Sequence, residues 1–149
     1  METTGTPYKN WHGKPYYSLD AYCKNTYGEK LYKVALNAGL TCPNRDGTLG
    51  TGGCIFCSSG GSGDFAASIA DTDSAFEQAF LQSKNSLSGK KTGQKYIAYF
   101  QAYTNTYGPV SYLEKVYRLA LKEPSVAGIS IATRPDCLPG NVMSLLCRL

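Results

Sequence analysis

The sequence predicts an α/β fold, and three observations carry that expectation. Apolar runs of strand length alternate with amphipathic segments of helix length. The central run, Tyr96 to Phe100, does not alternate apolar with polar, as expected for a strand covered on both faces of a parallel sheet. The three polar connections that stand out, 42–63, 101–107 and 133–136, each follow a strand, where α/β proteins carry their functional groups.

Composition narrows the class further. A length of 149 residues suits one domain. With 42% apolar and 17% charged residues the chain is too apolar to be disordered. No stretch approaches the roughly 20 apolar residues of a membrane-spanning helix. Residues 1–7 lack a basic head followed by an apolar run, so no secretory signal is visible and a cytoplasmic setting is expected. The net charge of +4 comes from scattered basic residues and permits an anionic partner without demanding one.

Residues 1–30 form a polar, aromatic lead-in. Within them Ser18 to Tyr27 suits a short helix, with Ser18 as N-cap and Gly28 as the left-handed residue that ends it. Residues 31–36 read as the first strand and feed a long loop, 37–70, rich in Gly, Ser, Thr and Asn. Loops of that length are rare in domains and usually functional. A helix follows over 73–87, its inner face Phe76, Ala79, Phe80, Ser83 and Leu87, with Ser74 and Glu77 as a capping box. Tyr96 to Phe100 is the second strand. Pro109 suits the first turn of the next helix, striped by Leu113, Val116, Tyr117 and Ala120. Val126 to Ala132 is the third strand, ended by Thr133-Arg134-Pro135-Asp136, and Pro139 opens a helix expected to run on through Leu149. Three βα units fall short of the ~250 residues of a complete barrel. Residues 31–149 are therefore expected to be the N-terminal part of a longer protein.

The chemistry concentrates in the first loop. Six cysteines without a secretory signal suggest metal ligands or redox groups rather than disulfides. Cys42, Cys54 and Cys57 are spaced C-x11-C-x2-C and are embedded in a stretch holding Gly47, Gly50, Gly52, Gly53, Gly60, Gly61 and Gly63. Thiolates ligate metals, and glycines let backbone N–H groups approach sulfur. Three cysteines can hold a [4Fe–4S] cluster with one iron left open. They can also serve a zinc site, although a fourth ligand from Cys23, His12 or Cys137 lacks helpful spacing. A redox dithiol is the third reading. Cys23, Cys137 and Cys147 read as packed structural thiols, His12 as a surface residue, and Arg45-Asp46 as a paired, turn-stabilising dipeptide.

The strings Cys42-Pro43-Asn44-Arg45-Asp46-Gly47-Thr48, Gly52-Gly53-Cys54-Ile55-Phe56-Cys57 and Gly61-Ser62-Gly63-Asp64-Phe65-Ala66 are more specific than the spacing. With Phe100-Gln101-Ala102-Tyr103-Thr104-Asn105-Thr106-Tyr107 and Thr133-Arg134-Pro135-Asp136, they resemble the radical S-adenosylmethionine (SAM) superfamily, in its YhcC-like branch, which is related to the catalytic subunit of Elongator. The resemblance runs from about residue 27 to 139 and covers the first half of such a protein. It implies a partial (β/α) barrel in which Cys42, Cys54 and Cys57 bind a [4Fe–4S] cluster. The open iron takes SAM, and reductive cleavage yields a 5′-deoxyadenosyl radical that abstracts hydrogen from a substrate. It further implies an electron donor such as flavodoxin or ferredoxin, and a large substrate of which RNA is one candidate. Phe56 would lie beside the adenine, its alternative being ordinary packing under the loop. Gln101, Tyr103, Thr104 and Asn105 stand where the superfamily places a Gly-Gly-Glu-like SAM-binding segment, here without its acidic residue. Arg134 would face the same site, or would close its loop by a salt bridge to Asp136.

A zinc-stabilised binding module for RNA is the competing function. It rests on the C-x2-C pair, the positive charge and 12 tyrosines able to stack on bases. The tyrosines and charges are dispersed along the chain.

Overall fold

Helix α1, Leu19–Tyr27, begins and ends as its caps dictate. The Ser18 hydroxyl accepts the Ala21 N–H at 3.1 Å, and Gly28, at φ +80°, turns the chain and donates to the Lys24 carbonyl. Cys23 is buried, as expected of a packed thiol. The computed structural model describes residues 11–69 and 72–149, and the chain divides between Leu31 and Tyr32 into two compact units. In the first, His12 shares a 2.9 Å hydrogen bond with the Asn25 side chain.

The second unit is an all-parallel sheet of order β2-β1-β3-β4 with helices between its strands. Its strands are β1, Tyr32–Asn37, β2, Ala67–Ser68, β3, Tyr96–Phe100, and β4, Val126–Ile131. The helices are α2, Asp73–Asn85, α3, Val110–Lys122, and α4, Gly140–Leu146. Strand β2 is an addition to the sequence expectation. Two residues are too short to show periodicity, yet they pair Ala67 with Leu36 and break the long loop.

One face of the sheet makes the core. Val34 and Leu36 of β1, Tyr96, Ala98 and Phe100 of β3, and Phe76, Ala79 and Phe80 of α2 are buried together with Leu113, Val116, Tyr117 and Ala120 of α3. The four stripe residues expected on α3 are all 0% exposed. The Phe100 and Tyr117 rings meet edge to face at 4.8 Å. The opposite face departs from expectation. Alternate β3 residues Ile97 and Tyr99 are only half-buried, as is every residue of β4. Lys33 lies 4.3 Å from the Tyr99 ring centroid on that face. A continuous apolar sequence predicts burial on both faces, but a run of aromatics and Ala also suits a strand with one half-open face.

Strand and helix ends shift by one or two residues from expectation, α2 closing at Asn85 rather than Leu87, and three caps or ends differ in kind. The N-cap of α2 is Thr72, whose hydroxyl accepts the Ala75 N–H, so Ser74 and Glu77 form no capping box. Pro109 stands at the N-cap of α3, one residue before its first turn. Helix α4 does not run on to Leu149: it stops at Leu146 with Cys147 as C-cap, and Cys147 is exposed rather than packed. No helix among the described residues is long and apolar enough to cross a membrane.

Candidate metal centre

The chain leaves β1 through Asn37, whose side chain accepts the Gly39 N–H at 2.9 Å. It then folds back on itself around Cys42. The Cys42 carbonyl accepts the Arg45 and Asp46 N–H groups, and the Pro43 carbonyl accepts those of Leu49 and Gly50. Asp46 accepts the Thr48 N–H at 3.0 Å, and that bond holds its carboxyl below the usual range. The expected Arg45–Asp46 pair does not form, because each side chain has a different partner. A bond from the Gly53 N–H to the Asn44 carbonyl brings the chain back, so eleven intervening residues close a short distance. Cys57 then donates its N–H to the Cys54 carbonyl at 3.0 Å, which makes Cys54–Cys57 one turn.

All three cysteines line one cavity of about 300 Å³ at the carboxyl ends of β1, β3 and β4. Each sulfur has a donor directed at it. The Asn44 amide lies 3.2 Å from the Cys54 sulfur. The Ser62 hydroxyl lies 3.8 Å from that of Cys57. Arg134 Nη1 lies 3.5 Å from that of Cys42. Burial alone would raise the Cys42 thiol. Hydrogen bonds from the Thr104 hydroxyl, the Asn44 N–H and Arg134, with the guanidinium charge, outweigh it and hold the thiol below its ordinary value. Donors rather than acceptors facing sulfur stabilise thiolate, the ligating form. Among the described residues no three His, Cys, Asp or Glu side chains are gathered for a single metal ion.

Glycines decide how the second wall is built. The loop after β3 and the stretch 60–63 touch backbone to backbone. Gly63 has the Ala102 backbone 2.8 Å from where a Cβ would stand, and Gly61, at φ +64°, faces the Tyr103 ring even more closely. Tyr103 donates its N–H to the Gly61 carbonyl and its hydroxyl to the Ser59 carbonyl at 2.9 Å. Gln101 donates its amide to the Ser62 carbonyl. Ala102 and Tyr103 both take positive φ, +82° and +61°.

The residues expected near the cofactor therefore fall into distinct positions. Phe56, Gln101, Tyr103, Thr104 and Arg134 line the cysteine cavity. Phe56 is 85% exposed there, so the alternative of packing under the loop does not hold. Asn105 does not line the cavity. It is fully buried and braces the turn from below, donating its amide to the Ala102 carbonyl at 3.0 Å and its N–H to the Ala132 carbonyl. Its carbonyl accepts the Tyr117 hydroxyl. Arg134 forks onto Asp136, with bonds of 2.9 and 2.7 Å, while reaching Cys42. It does both things that the sequence left as alternatives, loop closure and facing the site. Asp136 in turn is held below the usual carboxylate range by the guanidinium. Cys137 is buried, and burial raises its thiol. It lines a second cavity, about 570 Å³, that none of the three loop cysteines enters. Arg45, Ser62, Tyr99 and Thr133 also line the cavity and were not expected there, Arg45 being the charged one among them. A charged residue three positions after a cysteine gave no signal of the carbonyls it would meet.

Comparison with known proteins finds relatives among longer chains. The chain is 48% identical over its full 149 residues to the Bacillus subtilis protein YtqA, described as uncharacterized. It is 40% identical over 121 residues to the Escherichia coli protein YhcC. An uncharacterized Methanocaldococcus jannaschii protein, MJ0486, is 34% identical over 125 residues. These matches take in 45%, 37% and 37% of those proteins, so the chain spans less than half the length of the curated relatives it matches. No family model matches, and no solved structure matches significantly.

Proposed function

We propose that this chain is the cluster-binding part of a radical SAM enzyme, with Cys42, Cys54 and Cys57 as ligands of a [4Fe–4S] centre. The observation that carries the reading is that the sulfurs of Cys42, Cys54 and Cys57 line one cavity at the carboxyl ends of a parallel sheet, each with a hydrogen-bond donor turned toward it. The donor set suits a cluster better than a single zinc ion. A structural zinc site takes four protein ligands, and the described lining of the cavity offers three cysteines with no His, Asp or Glu. A [4Fe–4S] cluster takes one thiolate per iron, so three cysteines can hold it with one iron left open. When bound, it supplies the electron that cleaves SAM for hydrogen abstraction from a substrate.

The chain's own groups divide the remaining work. Arg134, Thr104, Asn44 and Ser62 offset thiolate charge. Phe56 presents an exposed aromatic face at the cavity rim, suited to a nucleobase. Gln101 and Tyr103 tie the loop after β3 to the cysteine loop, so their contribution to a ligand is the shape of the wall. A sheet with helices packed on its core face and a half-exposed opposite face is what the first units of a (β/α) barrel require. Relatives of more than twice this length have room for the remaining units.

Anaerobic reconstitution with iron and sulfide tests the reading. A broad absorbance near 400 nm, and a reduced-state EPR signal that changes when SAM is added, are expected. Stoichiometric zinc with no iron uptake under the same conditions would return the site to a zinc-binding module.

A further inference from the structure

We infer that Arg45 is the positioning residue of this centre, holding the Cys57 end of the loop against the Cys42 turn. This rests on the metal-centre reading above. The backbone of Arg45 belongs to the first cysteine's turn, its N–H bonded to the Cys42 carbonyl at 2.8 Å. Its side chain spans to the segment after the third cysteine. Nη2 donates to the carbonyls of Ser58 at 2.6 Å and Cys57 at 3.3 Å, and Nη1 reaches that of Ser59 at 3.5 Å. Three successive carbonyls thus converge on one guanidinium, alongside the Gly61 N–H on that of Ser58 and the Tyr103 hydroxyl on that of Ser59.

The slot around the guanidinium is built for a planar group. The Tyr103 ring centroid lies 5.4 Å from its central carbon, and the Tyr103 hydroxyl joins it on the Ser59 carbonyl. A Cβ at Gly53 would stand 2.8 Å from the same carbon. Gly53 therefore answers two demands, a φ of +74° and the space that Arg45 occupies. No carboxylate pairs with Arg45 among the described residues. Its charge stays at the wall of the cavity where the three sulfurs stand. A lysine keeps that charge but not the fork or the flat face, so Arg45→Lys separates position from charge.

The test compares wild type with Arg45→Lys, Arg45→Ala and Tyr103→Phe as full chains. Two quantities are read: the iodoacetamide alkylation rate of each cysteine in metal-free protein, resolved by peptide mass spectrometry, and iron bound after anaerobic reconstitution. Cys57 in Arg45→Lys should react about tenfold faster, as loss of one charge-assisted hydrogen bond from a local opening equilibrium predicts. Buried Cys137 should stay protected, and bound iron should fall below half of wild type. Tyr103→Phe, which loses a single bond to Ser59, should move both readouts less. Millimolar guanidinium added to Arg45→Ala should slow Cys57 alkylation again, whereas equal sodium chloride should not. Wild-type alkylation and iron in Arg45→Lys would overturn the proposal. So would exposure of Cys137 equal to that of Cys57, which would mean that Arg45 holds the whole fold. If wild type binds no iron, the metal-centre reading fails, while the alkylation pattern still decides whether Arg45 holds the Cys57 segment.

Discussion

The Arg134 guanidinium lies 3.5 Å from the sulfur of Cys42, a residue 92 positions earlier in the chain, while its other nitrogens fork onto Asp136. This contact ties the loop after β4 to the loop after β1 and places a permanent positive charge beside the first candidate ligand. Replacing Arg134 by Gln should move the Cys42 thiol back toward its ordinary value, because one donor and its charge are removed. The alkylation rate of Cys42 against pH measures this, and the midpoint should shift upward in the variant.

The same shift makes stability depend on pH. The folded Cys42 thiol sits below its ordinary value, so the folded state binds fewer protons than the unfolded chain. Its contribution is complete above the unfolded thiol value of about 8.5 and is lost as pH falls through the lower folded value. Cys137, raised by burial, acts with the opposite sign: its contribution is present below the unfolded value and is lost as pH rises through the folded one. Urea midpoints in the alkaline range should therefore rise less with pH in Cys42→Ser and more in Cys137→Ala than in wild type.

The glycine stretch should show sharply unequal tolerance to alanine. Gly63→Ala drives a methyl group into the Ala102 backbone, and Gly61→Ala combines a φ of +64° with the Tyr103 ring. Each should lower stability by about 1–3 kcal/mol in urea denaturation. Gly52→Ala meets nothing within 4 Å and has no positive φ, so it should stay within about 0.5 kcal/mol of wild type.

Tyr117 couples the core to the site from below. It is fully buried, and its hydroxyl donates to the Asn105 carbonyl under the loop after β3. Tyr117→Phe keeps the ring contact with Phe100 but leaves that carbonyl without this donor. A loss of about 1–3 kcal/mol is expected by urea denaturation.

Those same residues mark what sequence could and could not reveal. The α3 stripe and the Ser18 and Gly28 caps were legible because burial at helical spacing and cap chemistry are local. The cysteine cavity was legible because ligand type and spacing carry the chemistry. Strand β2 was hidden by its length, and the Thr72 cap by a competing Ser74 signal nearby. The backbone partners of Arg45 and Asn105, and the Cys42 sulfur as a partner of Arg134, were not legible. Each depends on carbonyls or a sulfur that the folded chain sets beside it, and a polar residue in a loop reads alike whether it faces solvent, a ligand or a backbone.

The most direct measurement is iron per chain after anaerobic reconstitution in two triple variants, alanine at 42, 54 and 57 against alanine at 23, 137 and 147. About four irons per chain should persist in the second variant and vanish in the first. Iron retained when 42, 54 and 57 are removed would contradict the assignment of this loop as the metal centre.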